Sequence, residues 1–145
     1  MPDFNNLDKT LMLASKEDLA RIVWQTAQHH PVSMTVAILH ATFLSSRDDA
    51  VLIEAVRKAA TIEEHVPYTE ADPYCQIIDE IAVLVKRAAD SGNLALSIQL
   101  AETALQAGEI SAEQIMDGDY WQMSLEELLE LSQSLKKEVS SADTK

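Results

Sequence analysis

Turn-forming residues are scarce in this chain, and their scarcity limits the folds that it can adopt. Only three Gly and four Pro interrupt 145 residues, of which 47% are hydrophobic. A sandwich or barrel of short strands needs a turn about every 8 to 12 residues. A disordered chain needs far fewer apolar residues than this one has. The composition therefore predicts a folded, all-α protein.

Apolar residues recur at helical spacing, most regularly between positions 77 and 88. The stripe there consists of Ile77, Ile81, Leu84, Val85 and Ala88. We expect Asp72 to cap this helix and Gly92 to end it. Asn93 is then expected to cap the next helix, which we predict to end at Gly108.

Similar signals divide the rest of the chain. Ser15 is the predicted cap of a first helix ending near His30, and Pro31 fits the first turn of a second. Asp48 or Ser46 is the predicted cap of a third. Two capping boxes, Ser111 with Gln114 and Ser124 with Glu127, predict a short sixth helix and a seventh with four leucines inward. Those leucines are Leu125, Leu128, Leu129 and Leu135.

The prediction is thus an all-α chain of about seven helices, stacked as antiparallel hairpins. Its length suits one domain, which we place at residues 15–139. Residues 1–14 are expected to form a lead-in segment, and the small, polar residues 140–145 a flexible tail.

The hairpin at 81–105 resembles the second half of a tetratricopeptide repeat. Leu84 lies eight residues before Gly92, while Leu94, Ser97 and Ala104 lie two, five and twelve residues after it. The large aromatic and glycine positions of that repeat's first helix do not match. No second copy follows at a period near 34 residues. The resemblance implies an α-α superhelix rather than a full repeat array.

A wider resemblance covers about residues 15–135. It consists of Asp18-Leu19, the His30-Pro31 break, Tyr68-Thr69-Glu70-Ala71, Tyr74, Ile78-Asp79-Glu80, Gly92 and the run from Gln99 to Leu105. This order is similar to an uncharacterised bacterial helical-repeat family whose members are free-standing or attached to SWIM-type zinc-finger regions. This chain lacks the finger's paired cysteines. A nucleic-acid role carried by that finger is therefore not expected of this chain.

The sequence indicates a cytoplasmic protein without a membrane anchor. Residues 1–6 have neither the basic start nor the apolar stretch of a secretory signal. Cys75 is the only cysteine, so no disulfide can form within the chain. Its uncharged apolar runs are far shorter than the roughly 20 residues that cross a bilayer.

Negative charge is strong and uneven. The formal net charge is −13, which repels nucleic-acid backbones. Between Arg87 and Lys136 there is no Lys or Arg. This acidic segment is either a docking surface for a basic protein or an ordinary solvated face.

Aromatic residues outside the stripes are either plugs between helix layers or anchors of a binding surface, and we favour plugs. The candidate partner-binding residues combine acids and aromatics. They are Tyr68, Tyr74, Glu109, Glu113, Asp117, Asp119, Trp121, Glu126, Glu127 and Glu130.

No motif indicates a catalytic, metal or cofactor site. His65, Asp72 and Cys75 are too few for structural zinc, which takes four ligands. Asp117 to Asp119 is similar to the start of a calcium loop, but Tyr120 and Trp121 follow where oxygen ligands belong. A catalytic role therefore has nothing to support it, and we predict no metal and no cofactor.

Three functions remain open. The preferred one is a non-enzymatic module whose groove or acidic C-terminal face binds a protein. The second is an acidic immunity protein that neutralises a basic toxin or nuclease. The third is a sensor or enzyme with a small-molecule site under the 62–74 loop. A homodimer through the Leu131 side of the seventh helix is also left open.

Overall fold

A computed structural model describes residues 6–116 and 118–143, and this part of the chain is all-α. The described residues form seven α-helices. They are α1 (Leu7–Met12), α2 (Lys16–Ala27), α3 (Pro31–Ser45), α4 (Asp49–Ala60), α5 (Cys75–Asp90), α6 (Leu94–Ser111) and α7 (Asp119–Asp143). Asp117, one of the predicted site residues, lies outside the described residues.

The chain divides into two compact units, Met1–Met34 and Thr35–Lys145. Our prediction of one domain over 15–139 did not include this division, whose boundary falls inside α3. The bounds that we predicted, 15–139 for the domain and 1–14 for the lead-in segment, stay predictions.

In the first unit, α2 begins where the sequence predicts. The Asp18 backbone N–H donates to Ser15 Oγ over 3.1 Å, so Ser15 is the N-cap. The apolar side chains of α2 are only partly buried. Ala27 is buried, whereas Ile22 and Val23 are about half exposed.

In the second unit, α6 is the central helix and packs against α4, α5 and α7. The α5–α6 hairpin has the predicted turn. Gly92 has a φ of +92°, a left-handed conformation that glycine adopts without strain. Asn93 then caps α6 by accepting from the Leu96 backbone N–H over 3.2 Å. TPR-like packing stays a prediction.

Helix α6 does not end at Gly108, contrary to the prediction, and continues to Ser111. Gly108 is buried where α7 packs against α6, and its lack of a side chain allows this close contact. A Cβ at this position would lie 2.6 Å from Leu125 Cδ2. Trp121 closes the same contact, since its Nε1 donates to the Gly108 carbonyl over 2.9 Å. Glycine serves close packing here and not helix termination.

Both predicted capping boxes are wrong. Ser111 ends α6, and only a short 3₁₀ turn, Ala112–Gln114, follows it. Ser124 lies inside α7, where its buried hydroxyl donates to Asp79 Oδ1 on α5 over 2.7 Å. Both serines satisfy tertiary hydrogen bonds instead of helix ends, because they lie on buried faces.

Other helix ends also differ from the predictions. Asp72 does not cap α5, which begins at Cys75 after a 3₁₀ turn, Asp72–Tyr74. Helix α7 continues to Asp143, into the stretch that we predicted to be a flexible tail. Of the four leucines predicted to point inward, Leu129 is 44% exposed, and the other three are buried.

The 61–74 segment is the longest connection between helices, and it is held by backbone hydrogen bonds. The Ile62 N–H donates to Ser111 Oγ over 2.8 Å. Val66 pairs with the chain at Ile115, donating to the Gln114 carbonyl and accepting from the Met116 N–H. Val66 and Ala71 are buried beneath the segment.

Replacing Ser111 with alanine is expected to destabilise the second unit. Ser111 Oγ accepts from Ile62 and lies 2.7 Å and 2.8 Å from the carbonyl oxygens of Ala60 and Ala107, one of which receives its proton. Ser111→Ala leaves buried backbone groups without partners, which costs about 1 to 3 kcal/mol. Urea unfolding followed by circular dichroism measures this loss.

Ser97→Ala is the matched control. Ser97 is also a buried serine of α6, but its hydroxyl donates only within the helix, to the Leu94 carbonyl. A smaller loss is expected there. Equal losses in the two variants would show that the bonds of Ser111 to the 61–74 segment contribute nothing.

Candidate functional site

Helix α3 carries apolar side chains that the structure leaves uncovered. Between Pro31 and Ser45 there is no Asp, Glu, Lys or Arg. A helix that is apolar all round is normally buried on all sides. In α3, however, Leu39 is buried while Ile38 is 59% exposed and Leu44 is 87% exposed. This helix therefore presents an exposed apolar surface.

A groove of about 600 Å³ runs between α3 and α4. The α3 side includes Ile38, Leu39 and Thr42, and the α4 side includes Val51 and small alanines. Short side chains let an approaching helix or loop come close to both backbones. We call this feature the α3–α4 groove, lined by Thr35, Ile38, Leu39, Thr42, Ala50, Val51, Glu54, Ala55, Lys58 and Ala59.

Charged groups lie only at the edge of this groove. Glu54 forms an ion pair with Arg57, one turn along α4. Their hydrogen bond lowers the pKa of Glu54 and raises that of Arg57. Lys58 has no ion-pair partner within the described part of the chain. The groove thus has an apolar interior and a charged rim, as protein interfaces do.

Another side of α3 is attached to α5 by a partly buried pair. His40 Nε2 lies 2.7 Å from Glu80 Oε2. The pair fixes the rotation of α3, and Ile38 points into the groove on the other side. A second cavity, of about 280 Å³, includes His40, Leu44 and Arg87. No residue of the 62–74 loop lines either cavity.

The sequence reasoning missed the α3–α4 groove. Nothing in the helical spacing of this segment distinguishes the exposed Ile38 from the buried Leu39. The sequence feature that could have indicated the groove is the absence of charged residues along α3. A 15-residue helix without a charged residue has no face adapted to water.

The predicted acidic residues lie at the surface. Asp119, Glu126, Glu127 and Glu130 are exposed on α7, and Glu109 and Glu113 lie exposed at the end of α6 and in the turn after it. Large apolar side chains lie exposed among the α7 acids. They are Tyr120, Met123 and Leu129. We call these seven α7 residues the acidic α7 surface.

The predicted aromatic residues divide into three cases. Trp121 is 1% exposed and belongs to the core, so its place among the partner-binding residues is corrected to that of a plug. Tyr68 is 63% exposed. Tyr74 is only partly exposed, and burial raises the pKa of its hydroxyl. The structure does not bring Tyr68 and the acidic α7 surface into one described cavity.

One cluster combines potentially reactive groups, Cys75, Asp79 and Ser124. Burial raises the pKa of the Cys75 thiol, and the nearby Asp79 carboxylate raises it further. A hydrogen bond with Ser124 acts in the opposite direction but does not reverse the shift. A nucleophilic cysteine needs a lowered pKa, so this cluster serves to join α5 to α7.

Neither a metal site nor a membrane-spanning helix is found among the described residues. Within residues 6–116 and 118–143, no three His, Cys, Asp or Glu side chains are grouped so that they could hold a metal ion. Among the described helices, none combines the length and apolarity needed to cross a bilayer.

Comparisons with protein-family models, with curated proteins and with solved structures gave no match. The resemblances to a tetratricopeptide repeat and to the bacterial helical-repeat family therefore stay predictions from the sequence.

Cys75 is expected to react slowly with thiol reagents. Because its pKa is raised by burial and by Asp79, the thiolate fraction at neutral pH is lower than that of a free cysteine. We expect the rate with an aromatic disulfide reagent to be several-fold below that of glutathione at the same pH. The unfolded chain in guanidinium is the internal control and should react fast. A native rate above that of glutathione would contradict the assigned role.

Proposed function

We propose that this chain is a non-enzymatic protein-interaction module whose α3–α4 groove binds an apolar segment of a protein. One observation carries the proposal, namely an uncharged helix whose Ile38 is exposed and lines an open apolar groove. Burying such side chains is worth about 25 cal/mol per Å² of apolar surface. Exposed apolar surface of this kind marks interaction sites.

The lining favours a protein over a small molecule. Sites for small ligands combine an apolar pocket with several polar groups that point at the ligand. Here the polar groups are two threonine hydroxyls and the charges of Glu54 and Lys58 at the rim. An apolar side chain of a partner helix suits this groove better than a polar metabolite does. We also propose that the protein is cytoplasmic and of bacterial origin.

Photo-crosslinking tests the groove directly. A benzophenone amino acid replaces Ile38, and the same amino acid replaces Ile110 as the control. Ile110 is exposed on α6 but does not line the groove. We expect discrete protein adducts from position 38 that are absent from position 110. Mass spectrometry identifies the adduct, and a lack of any adduct specific to position 38 would overturn the proposal.

The acidic α7 surface supports a second candidate function, the binding of a basic protein such as a toxin or nuclease. Glu126, Glu127 and Glu130 lie within about one turn of each other, and no Lys or Arg lies between Arg87 and Lys136. The exposed Tyr120 and Met123 beside them add apolar contact area. A basic amphipathic segment would match both features.

Reversing charges of the acidic α7 surface distinguishes binding at that surface from binding in the α3–α4 groove. The triple variant Glu126→Lys, Glu127→Lys and Glu130→Lys is expected to lose a basic partner, and Ile38→Asp is expected to retain it. Steered association falls steeply with salt, so binding measured at two ionic strengths provides an independent check. Retained binding by the triple variant would rule out the acidic α7 surface.

A further inference from the structure

The distribution of charge identifies the α3–α4 region as the neutral part of an acidic chain. Residues 35–60 contain three bases, Arg47, Arg57 and Lys58, and three acids, Asp48, Asp49 and Glu54, so their net charge is zero. Residues 61–145 contain 5 bases and 17 acids, which gives −12. Residues 1–34, with 3 bases and 4 acids, complete the total of −13.

This distribution restricts how two copies of the chain can meet. Two surfaces from the 61–145 region repel each other, because both are strongly negative. Two α3–α4 regions do not repel each other. A strongly basic partner, in contrast, gains nothing from a neutral groove and would choose the acidic α7 surface. The groove therefore suits a neutral, apolar occupant.

The shape of the region is also self-complementary. Ile38 protrudes with 59% of its surface exposed, and the neighbouring α4 wall contains the small residues Ala55 and Ala59. A twofold interface brings the same patch of two subunits together, so a projection on each copy must fit a recess on the other. Ile38 is the projection, and the wall formed by Ala55 and Ala59 is the recess.

The rim charges follow the same logic. Glu54 and Lys58 lie one helical turn apart on α4, and both line the groove. Where two α4 helices meet antiparallel across a twofold axis, Glu54 of each copy, which already pairs with Arg57 of its own chain, also faces Lys58 of the other. Two equivalent ion pairs then form at the edge of an apolar contact.

We infer that the occupant of the α3–α4 groove is a second copy of this chain, bound in a twofold homodimer. This inference rests on the proposed function, since it names the partner of the same groove. It places the dimer contact on α3 and α4, not on the Leu131 side of α7.

Light scattering and sedimentation of the full chain over a dilution series test the inference. The native chain is expected to have twice the mass of a single chain, and Ile38→Asp the mass of a single chain at the same concentration. Leu129→Asp is the matched control, because Leu129 is a similarly exposed apolar residue on α7. It should remain dimeric, with helicity checked by circular dichroism in every variant.

If Ile38→Asp does not fold, exchanging the charges of Glu54 and Lys58 provides a second test of the dimer. Glu54→Lys and Lys58→Glu should each weaken the dimer by several-fold, because each places like charges opposite one another. The double variant should restore the native dissociation constant. Single variants that match the native chain, or a double variant weaker than both, would overturn the twofold arrangement.

The remaining outcomes separate this inference from the proposed function. A native chain that is monomeric at every concentration overturns the second copy as occupant. So does a dimer that Leu129→Asp dissociates and Ile38→Asp does not. If position 38 then crosslinks to a different protein, the groove still binds a protein and only its occupant changes. If position 38 gives no specific adduct, both proposals are wrong.

Discussion

The close approach of α6 and α7 at Gly108 organises the second unit. A Cβ at this position would lie 2.6 Å from Leu125 Cδ2, so a larger residue here would require the Leu125 side chain to shift. The same backbone supplies the carbonyl that receives the indole N–H of Trp121. An aromatic ring of this size is buried with its polar group satisfied, which removes the cost of a buried donor. With α7 fixed in this way, α6 has neighbours on three sides and becomes the centre of the core.

Local signals predicted the helices well where they act within one helix, and poorly where a tertiary contact overrides them. Ser15, Asp48 and Asn93 cap helices as predicted, because a cap needs only the backbone two or three residues away. Ser111 and Ser124 show the same local pattern, yet their hydroxyls bind other helices. Periodicity cannot reveal this, since a buried serine and a capping serine are equally polar in the sequence. The candidate site follows the same rule, since the exposure of Ile38 depends on which helices pack on α3 and no local pattern reveals it.

Two surfaces of different chemistry lie on the second unit. The α3–α4 groove is neutral and apolar, and a partner gains there by removing apolar area from water. The acidic α7 surface combines carboxylates with Tyr120 and Met123, and a partner gains there from charge as well. Salt affects the two contacts differently, since screening weakens attraction between charges and leaves apolar burial unchanged. The two proposed contacts are therefore expected to respond differently to salt.

The attachment of the 61–74 segment has a consequence for local unfolding. Long connections are usually the first parts of a protein to open and the preferred sites of proteolytic cleavage. Here Ile62 is bound to Ser111 on the central helix, and Val66 is paired on both sides of Ile115. Opening the segment would break contacts of α6 and expose the side chain of Val66. The amide hydrogens of Ile62 and Val66 should therefore exchange together with those of α6, so the segment is anchored to the core at these two residues.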